Sequence, residues 1–327
     1  MERLQHYWYR LTPLHLLLFP ASLIFRMLAA GRRFLYRNGI LSSVKLPVPV
    51  VIIGNISVGG TGKTPLTLWL AQQLIENGWH PGIVSRGYIK RNTTQTSPRA
   101  VSIDAAAEDV GDEPLLMAQR ALCPVWIGRD RPAAAHALLQ EHSECDIILS
   151  DDGLQHYGLQ RDAEIIVVDG ARRFGNGLLL PAGPLREPVS RLRTADAIVI
   201  NGGPTCGSEF AMNLHGTRFH NLLNPEIVVS AAEFTGQRLH AVAGIGHPQR
   251  FFAHLEQLGL VAQQHAFPDH HHYTAADIAF EDADAVLMTE KDAVKCGAFA
   301  TEKCWVLRVD AQVDAALTQL ILKKVTP

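Results

Sequence analysis

The 327-residue chain is 47% hydrophobic and 19% charged, with a formal net charge of −2. That balance excludes a disordered, collagenous or disulfide-scaffold protein and gives a nucleic-acid partner no electrostatic footing. The length suits two domains or one large α/β unit.

The first 47 residues carry seven bases (Arg3, Arg10, Arg26, Arg32, Arg33, Arg37, Lys45) against one acid, Glu2, so a basic arm precedes a body of net −8. Residues 11–25 form a 15-residue run without formal charge, short of the roughly 20 that a bilayer crossing takes. Arginines follow this run rather than a small-residue cleavage site, which argues against a secretory signal. Arg26, Arg33 and Arg37 share one helical face, and Leu23, Ile24, Phe25, Met27, Leu28, Phe34 and Leu35 cover much of the rest. This pattern predicts a helix lying in a membrane interface. The five cysteines include no C-x-x-C pair, as expected of a reduced compartment.

Strands are predicted at 47–54, 82–85, 124–127, 145–150, 164–168 and 197–200, and helices from 64 to about 77, from 111 to about 121 and at 131–141. A polar loop covers 90–99, a Gly/Pro-rich basic connection 170–193, and a loop-and-strand region 202–236. Alternation then resumes with strands at 240–243, 259–264, 284–288 and 304–309 and helices at 248–258, 274–281, 290–298 and 311–323. Such alternation predicts an α/β fold, with a P-loop-NTPase-like parallel sheet, a smaller C-terminal α/β domain and an N-terminal amphipathic helix. The expected division is an arm at 1–46, a first α/β domain at 47–204, a linker or β-hairpin region at 205–236 and a C-terminal α/β domain at 237–327.

The string S-V-G-G-T-G-K-T at 57–64 follows an apolar strand and opens a helix, the context of a phosphate-binding loop. Residues Ser57, Val58, Gly59, Gly60, Thr61, Gly62, Lys63 and Thr64 are the expected ATP contacts. The glycines let backbone amides turn toward phosphate oxygens, Lys63 reaches the β- and γ-phosphates, and the Thr64 hydroxyl binds Mg²⁺. Beyond the strand at 145–150 lie Asp151, Asp152, Gln155 and His156, an acid pair with polar supplements; Asp169 reads as a turn former. A zinc site at His270, His271 and His272 is disfavoured, because no second cluster has ligand spacing. The loop also suits a regulatory GTPase or metallochaperone switch, and T-E-K-D at 289–292 looks like a guanine-reading motif. However, Val58 stands where such dimeric switches carry a signature lysine.

Taken with the strings V-S-R-G-Y at 84–88, G-D-E-P at 111–114, S-D-D-G-L-Q-H at 150–156, R-R-F-G-N-G at 172–177, L-P-A-G-P-L-R-E at 180–187, G-I-G-H-P at 244–248, Asp269-His270 and M-T-E-K-D-A at 288–293, the chain resembles the tetraacyldisaccharide 4′-kinase family of lipid A biosynthesis. Here Ile89 and Lys90 follow Tyr88, where that family often has two glycines. The resemblance implies two α/β domains joined by a β-hairpin linker. It further implies transfer of the ATP γ-phosphate to the 4′-hydroxyl of an acylated glucosamine disaccharide 1-phosphate at the cytoplasmic face of the inner membrane. By the same resemblance Asp112 and His270 form the base that takes the hydroxyl proton, with Lys63 and Asp152 at the transferring phosphate. Thr64 and Asp151, with Glu187 as a further candidate, lie at Mg²⁺. Arg86, Tyr88, Arg129 or Arg131, Gln155, His156 and Arg186 are the expected acceptor contacts. The lipid substrate and the membrane surface are the only partners implied.

Overall fold

The computed structural model describes residues 7–9, 13–87 and 97–326. Tyr88 and most of the loop at 90–99 lie outside them. Strand β1 (Val50–Gly54) is buried at all five positions. Its side chains alternate between two cores, as strand geometry requires. Val51 and Ile53 face a layer with Leu66, Leu70 and Leu74, whereas Val50 and Ile52 face Ala134, Ala135 and Leu138. The first layer includes α2 (Lys63–Glu76), whose buried leucines recur every four residues, and the second includes α5 (Arg131–Glu141).

The nine-stranded sheet has the order β15-β8-β7-β6-β1-β5-β2-β4-β3. Its remaining strands are β2 (Pro81–Ser85), β3 (Arg99–Ala100), β4 (Val125–Ile127), β5 (Ile147–Asp151), β6 (Ala163–Asp169), β7 (Ala197–Asn201), β8 (Phe210–His215) and β15 (Asp310–Val313). Pairing is parallel except at the two edges, β3 with β4 and β15 with β8. Helices α3 (Ala107–Val110) and α4 (Asp112–Arg120) precede β4.

A six-stranded sheet follows, with the order β10-β9-β14-β13-β11-β12. It contains β9 (Arg218–Asn221), β10 (Val228–Ser230), β11 (Leu239–Ala243), β12 (Ala262–Ala266), β13 (Ala285–Thr289) and β14 (Cys304–Leu307), with helices α6 (Pro248–Gln257) and α7 (Glu290–Cys296). The predicted helix at 274–281 is a single 3-10 turn, Ala275–Asp277, closed by reciprocal Thr274 and Asp277 hydrogen bonds.

Two sequence expectations are corrected. Residues 205–236 include the expected antiparallel hairpin, β9 with β10, but are not a linker apart from the sheets, since β8 lies within the first sheet while β9 and β10 belong to the second. Nor does 237–327 stay with the second sheet: β15 pairs with β8, and α8 (Ala316–Val325) buries Leu317, Ile321 and Val325 in the first core. The chain therefore crosses between the units twice. The crossings touch at Gly216, where a Cβ would lie 2.3 Å from the Arg308 carbonyl oxygen, so the position admits no side chain.

The N-terminal helix α1 (Pro13–Arg37) has 25 residues and is long and apolar enough to cross a membrane by length and composition. The 15-residue expectation measured only the charge-free run, and Arg26, Arg32 and Arg33 continue the helix instead of ending it. One face is docked on the body. Ser22 Oγ donates to the Leu179 carbonyl at 2.5 Å, Arg33 to Thr194 Oγ1 at 3.2 Å, and Phe25 packs on the second of the cores flanking β1. The opposite stripe leaves Leu16, Leu17, Ile24, Met27 and Leu28 more than half exposed.

Candidate active site

The phosphate loop leaves β1 and enters α2 through Gly62, whose left-handed φ of 96° no branched side chain adopts readily. Its entry is braced by the P-A-G-P-L-R-E string: Ser57 bridges Leu185, and the Val58 amide donates to the Pro184 carbonyl at 2.9 Å. Lys63 Nζ stands 3.5 Å from Asp152 Oδ1 at the tip of β5.

The two acids at that tip have opposite environments. Asp151 is fully buried and accepts from Thr67 Oγ1 at 3.3 Å and Ser85 Oγ at 3.4 Å. Burial, reinforced by the Glu113 carboxylate, pushes it well above the ordinary carboxylate range. Burial alone would raise Asp152 too, but Lys63, Arg186 and Arg131 hold it below its usual value. Asp152 also has a left-handed φ of 48°, a strain tolerated at a functional turn.

A cleft of about 1010 Å³ runs from this tip between α4 and α7. On its wall His270 Nδ1 meets Asp112 Oδ2 at 2.9 Å, with His270 at a φ of 59°. Burial would raise Asp112, but the His270 hydrogen bond and Lys291 bring it down to about 2. The same hydrogen bond raises His270, against burial and the Lys291 charge. Lys291 Nζ lies 3.0 Å from Glu113, 3.3 Å from Asp269 and 3.8 Å from Asp112. The neighbouring histidines do otherwise: His271 stacks on Phe267 and faces Asp277, while His272 is exposed.

The expected acceptor residues separate. Arg86 is exposed on the cleft wall, whereas Arg129 is exposed and does not line the cleft. Arg186 faces Asp152 at 3.5 Å. Arg131 is buried, donating to the Gly128 carbonyl at 2.6 Å and to the Asp151 carbonyl at 3.4 Å. His156 is brought down to about 4 by burial and by Arg131 and Arg86, so it is neutral at pH 7. Gln155 and Glu187, expected at the sugar and the metal, bind one another at 2.8 Å. Tyr157 and Arg191 hold the second Glu187 oxygen at 2.8 and 3.3 Å, so the buried carboxylate is fully engaged by the protein.

Sequence reasoning missed Asn55, Arg172, Asn201 and Arg250, which surround the back of the phosphate loop. Asp169, read as a turn former, accepts the Ala171 and Arg172 amides at 3.0 Å, as a turn acid would. It also holds the Arg172 side chain, and that link to the loop was not expected. The only advance signal was the R-R-F-G-N-G string at 172–177.

A phosphate loop under a parallel sheet, an acid pair at the adjoining strand tip and an imidazole–carboxylate pair across a cleft define a P-loop phosphotransferase. The family model described as tetraacyldisaccharide-1-P 4′-kinase (LpxK) matches residues 14–326, and the chain belongs to that family. A tetraacyldisaccharide 4′-kinase of Methylobacillus flagellatus is 52% identical over 99% of this chain and 96% of its own length. One from Nitrosococcus oceani is 49% identical over 97% of this chain and 92% of its own. A crystal structure of LpxK from Aquifex aeolicus in complex with ATP superposes with a TM-score of 0.81 at 30% identity, covering 96% of this chain and 100% of that one. The chain is thus a kinase, and the regulatory-GTPase reading finds no support in these likenesses.

Proposed function

We propose that this kinase transfers the γ-phosphate of ATP to the 4′-hydroxyl of an acylated glucosamine disaccharide 1-phosphate, working at the cytoplasmic face of the inner membrane. The observation that carries the reading is the Asp112–His270 pair, 2.9 Å apart, sharing one cleft with the Asp151–Asp152 tip beside Lys63. A sugar hydroxyl needs a proton acceptor, and His270 supplies one while Asp112 fixes its tautomer and raises its basicity. Lys63 neutralises charge on the transferring phosphoryl group, with Arg186 beside Asp152 adding to the positive field. Arg86, exposed on the cleft wall, is placed for an acceptor phosphate.

The Thr64 hydroxyl and the Asp151 and Asp152 carboxylates form a hard-oxygen donor set of the kind Mg²⁺ takes. These residues would hold the ion, which would offset the charge that develops on the transferring phosphoryl group. Glu187 is left out of this set because Gln155, Tyr157 and Arg191 occupy its oxygens.

The acylated acceptor stays in the bilayer, and α1 answers that need. Its outer stripe enters the interface while its inner face keeps the catalytic body against the surface. Docking through Ser22, Phe25 and Arg33 favours a helix lying on the membrane over one that spans it. The test is incubation with labelled ATP and a lipid A disaccharide precursor in detergent micelles. Label should appear in the lipid; intact ATP binding without transfer would reject the proposal.

A further inference from the structure

Three consecutive carbonyls of the phosphate loop are gripped from behind. Asn55 Nδ2 donates to the Gly59 oxygen at 3.4 Å, Arg172 Nη2 to the Gly60 oxygen at 2.6 Å, and Asn201 Nδ2 to the Thr61 oxygen at 3.0 Å. In a planar trans peptide the C=O and the following N–H point in opposite directions. Each grip therefore turns one amide away from the gripping side, those of Gly60, Thr61 and Gly62 in turn. A row of amides so aligned is what a phosphate-binding concavity consists of.

The grips connect to the second unit. Asp169, nearly fully buried, holds Arg172 Nε at 3.0 Å and also faces Arg250 Nη1 at 3.7 Å. Arg250 Nη2 donates to Asn201 Oδ1 at 3.3 Å, which fixes the orientation of that amide with its nitrogen toward Thr61. Arg250 belongs to α6, and the segment leading into α6 touches the loop directly: a Cβ on Gly246 would lie 3.1 Å from the Gly60 nitrogen.

We propose that Arg172, Asn201 and Arg250 are positioning residues for the nucleotide: they hold the loop carbonyls outward, and through Arg250 they make the shape of the phosphate site depend on the seating of the second unit. This rests on the ATP-binding reading above. Arg250 acts through Asn201 and Asp169, the partners of its hydrogen bond and its ion pair.

The test is calorimetric titration of the full chain with ATP, without acceptor lipid, together with steady-state kinetics. Loss of one charge-assisted hydrogen bond corresponds to about 10- to 100-fold in affinity. Arg172→Met should weaken ATP by that factor, with Arg172→Lys recovering part of it. Arg250→Met should weaken ATP about 3- to 10-fold, since it removes support and not a direct grip. KM for ATP should rise in both while KM for the lipid acceptor stays constant, a split that general destabilisation would not produce. The double variant should lose less than the product of the single losses, because both arginines converge on Asp169. Should Arg172→Met melt early, Arg250→Met carries the test, its side chain being one-third exposed. Wild-type affinity for ATP in Arg250→Met overturns this proposal alone, as do independent, multiplying losses. A wild-type chain that does not bind ATP overturns the nucleotide reading as well.

Discussion

Replacing Asp112 by Asn keeps the side chain's shape and removes its charge. His270 then loses the contact that does most to raise its pKa, while burial and Lys291 continue to lower it, so its pKa must fall. Lys291 is not orphaned by the change, because Glu113 at 3.0 Å and Asp269 at 3.3 Å remain. The fold should survive, and the loss should fall on chemistry. A positioned general base is worth about 10² to 10⁴ in rate, which is about 3 to 5 kcal/mol of barrier. Both Asp112→Asn and His270→Ala should lose turnover by such a factor, and the double variant only slightly more, since the two groups act as one unit. In the native enzyme the sign of the pH effect is fixed by the raised imidazole pKa. The base is disarmed when protonated, so kcat/KM should climb with pH through a value above 6.5. Initial rates with labelled ATP and a disaccharide lipid, alongside imidazole ¹⁵N shifts of His270, measure both effects. Multiplying losses in the double variant, or an acid limb lying below 6.5, would refute the dyad.

Arg191→Met should cost about 3–5 kcal/mol of stability, because it leaves the buried Glu187 carboxylate, now 3.3 Å from the guanidinium, without that counter-charge and leaves Glu164 to Arg161; an unchanged melting temperature would contradict that. Replacing Leu16, Leu17, Ile24, Met27 and Leu28 together by Ser should leave the melt unaltered, since all five are more than half exposed. The same variant should lose co-sedimentation with anionic vesicles, and retained binding would show that this stripe does not face the lipid.

What could be read from the sequence was chemistry that needs fixed residue types at fixed spacing. The phosphate loop and the acid pair are of this kind; Asp112 with His270 came only through the family resemblance, since Asp112 alone reads as a helix N-terminal acid, and the 2.9 Å contact is what separates His270 from the two histidines that follow. Asn201, Arg250 and Lys291 were not legible. They act on partners 140, 49 and 178 residues away respectively, and their types look like ordinary solvent-facing side chains until those partners are known. Glu187 misled in the opposite direction: an acid in a glycine- and proline-rich string resembles a ligand, and besides Arg191 four positions on, its oxygens are taken by Gln155 and Tyr157, 32 and 30 residues away. The return of residues 310–325 to the first sheet was hidden for the same reason, because an edge strand's partner is set by non-local packing.

That return has a consequence for the chemistry. Asp112 comes from the first unit and His270 from the second, so the base proposed above would exist only when the two are seated together. The seating is secured at separate points: Arg120 joins Glu290, Lys291 joins Glu113, and Arg250 joins Asp169. A single tether would leave the second unit to search for this arrangement, at a cost in entropy that grows with the freedom of the connection. Two crossings, packed against each other at Gly216 and Arg308, leave less of that freedom than one would. Approach of the imidazole to its carboxylate is thereby made effectively intramolecular and oriented, the condition under which placement contributes most to rate.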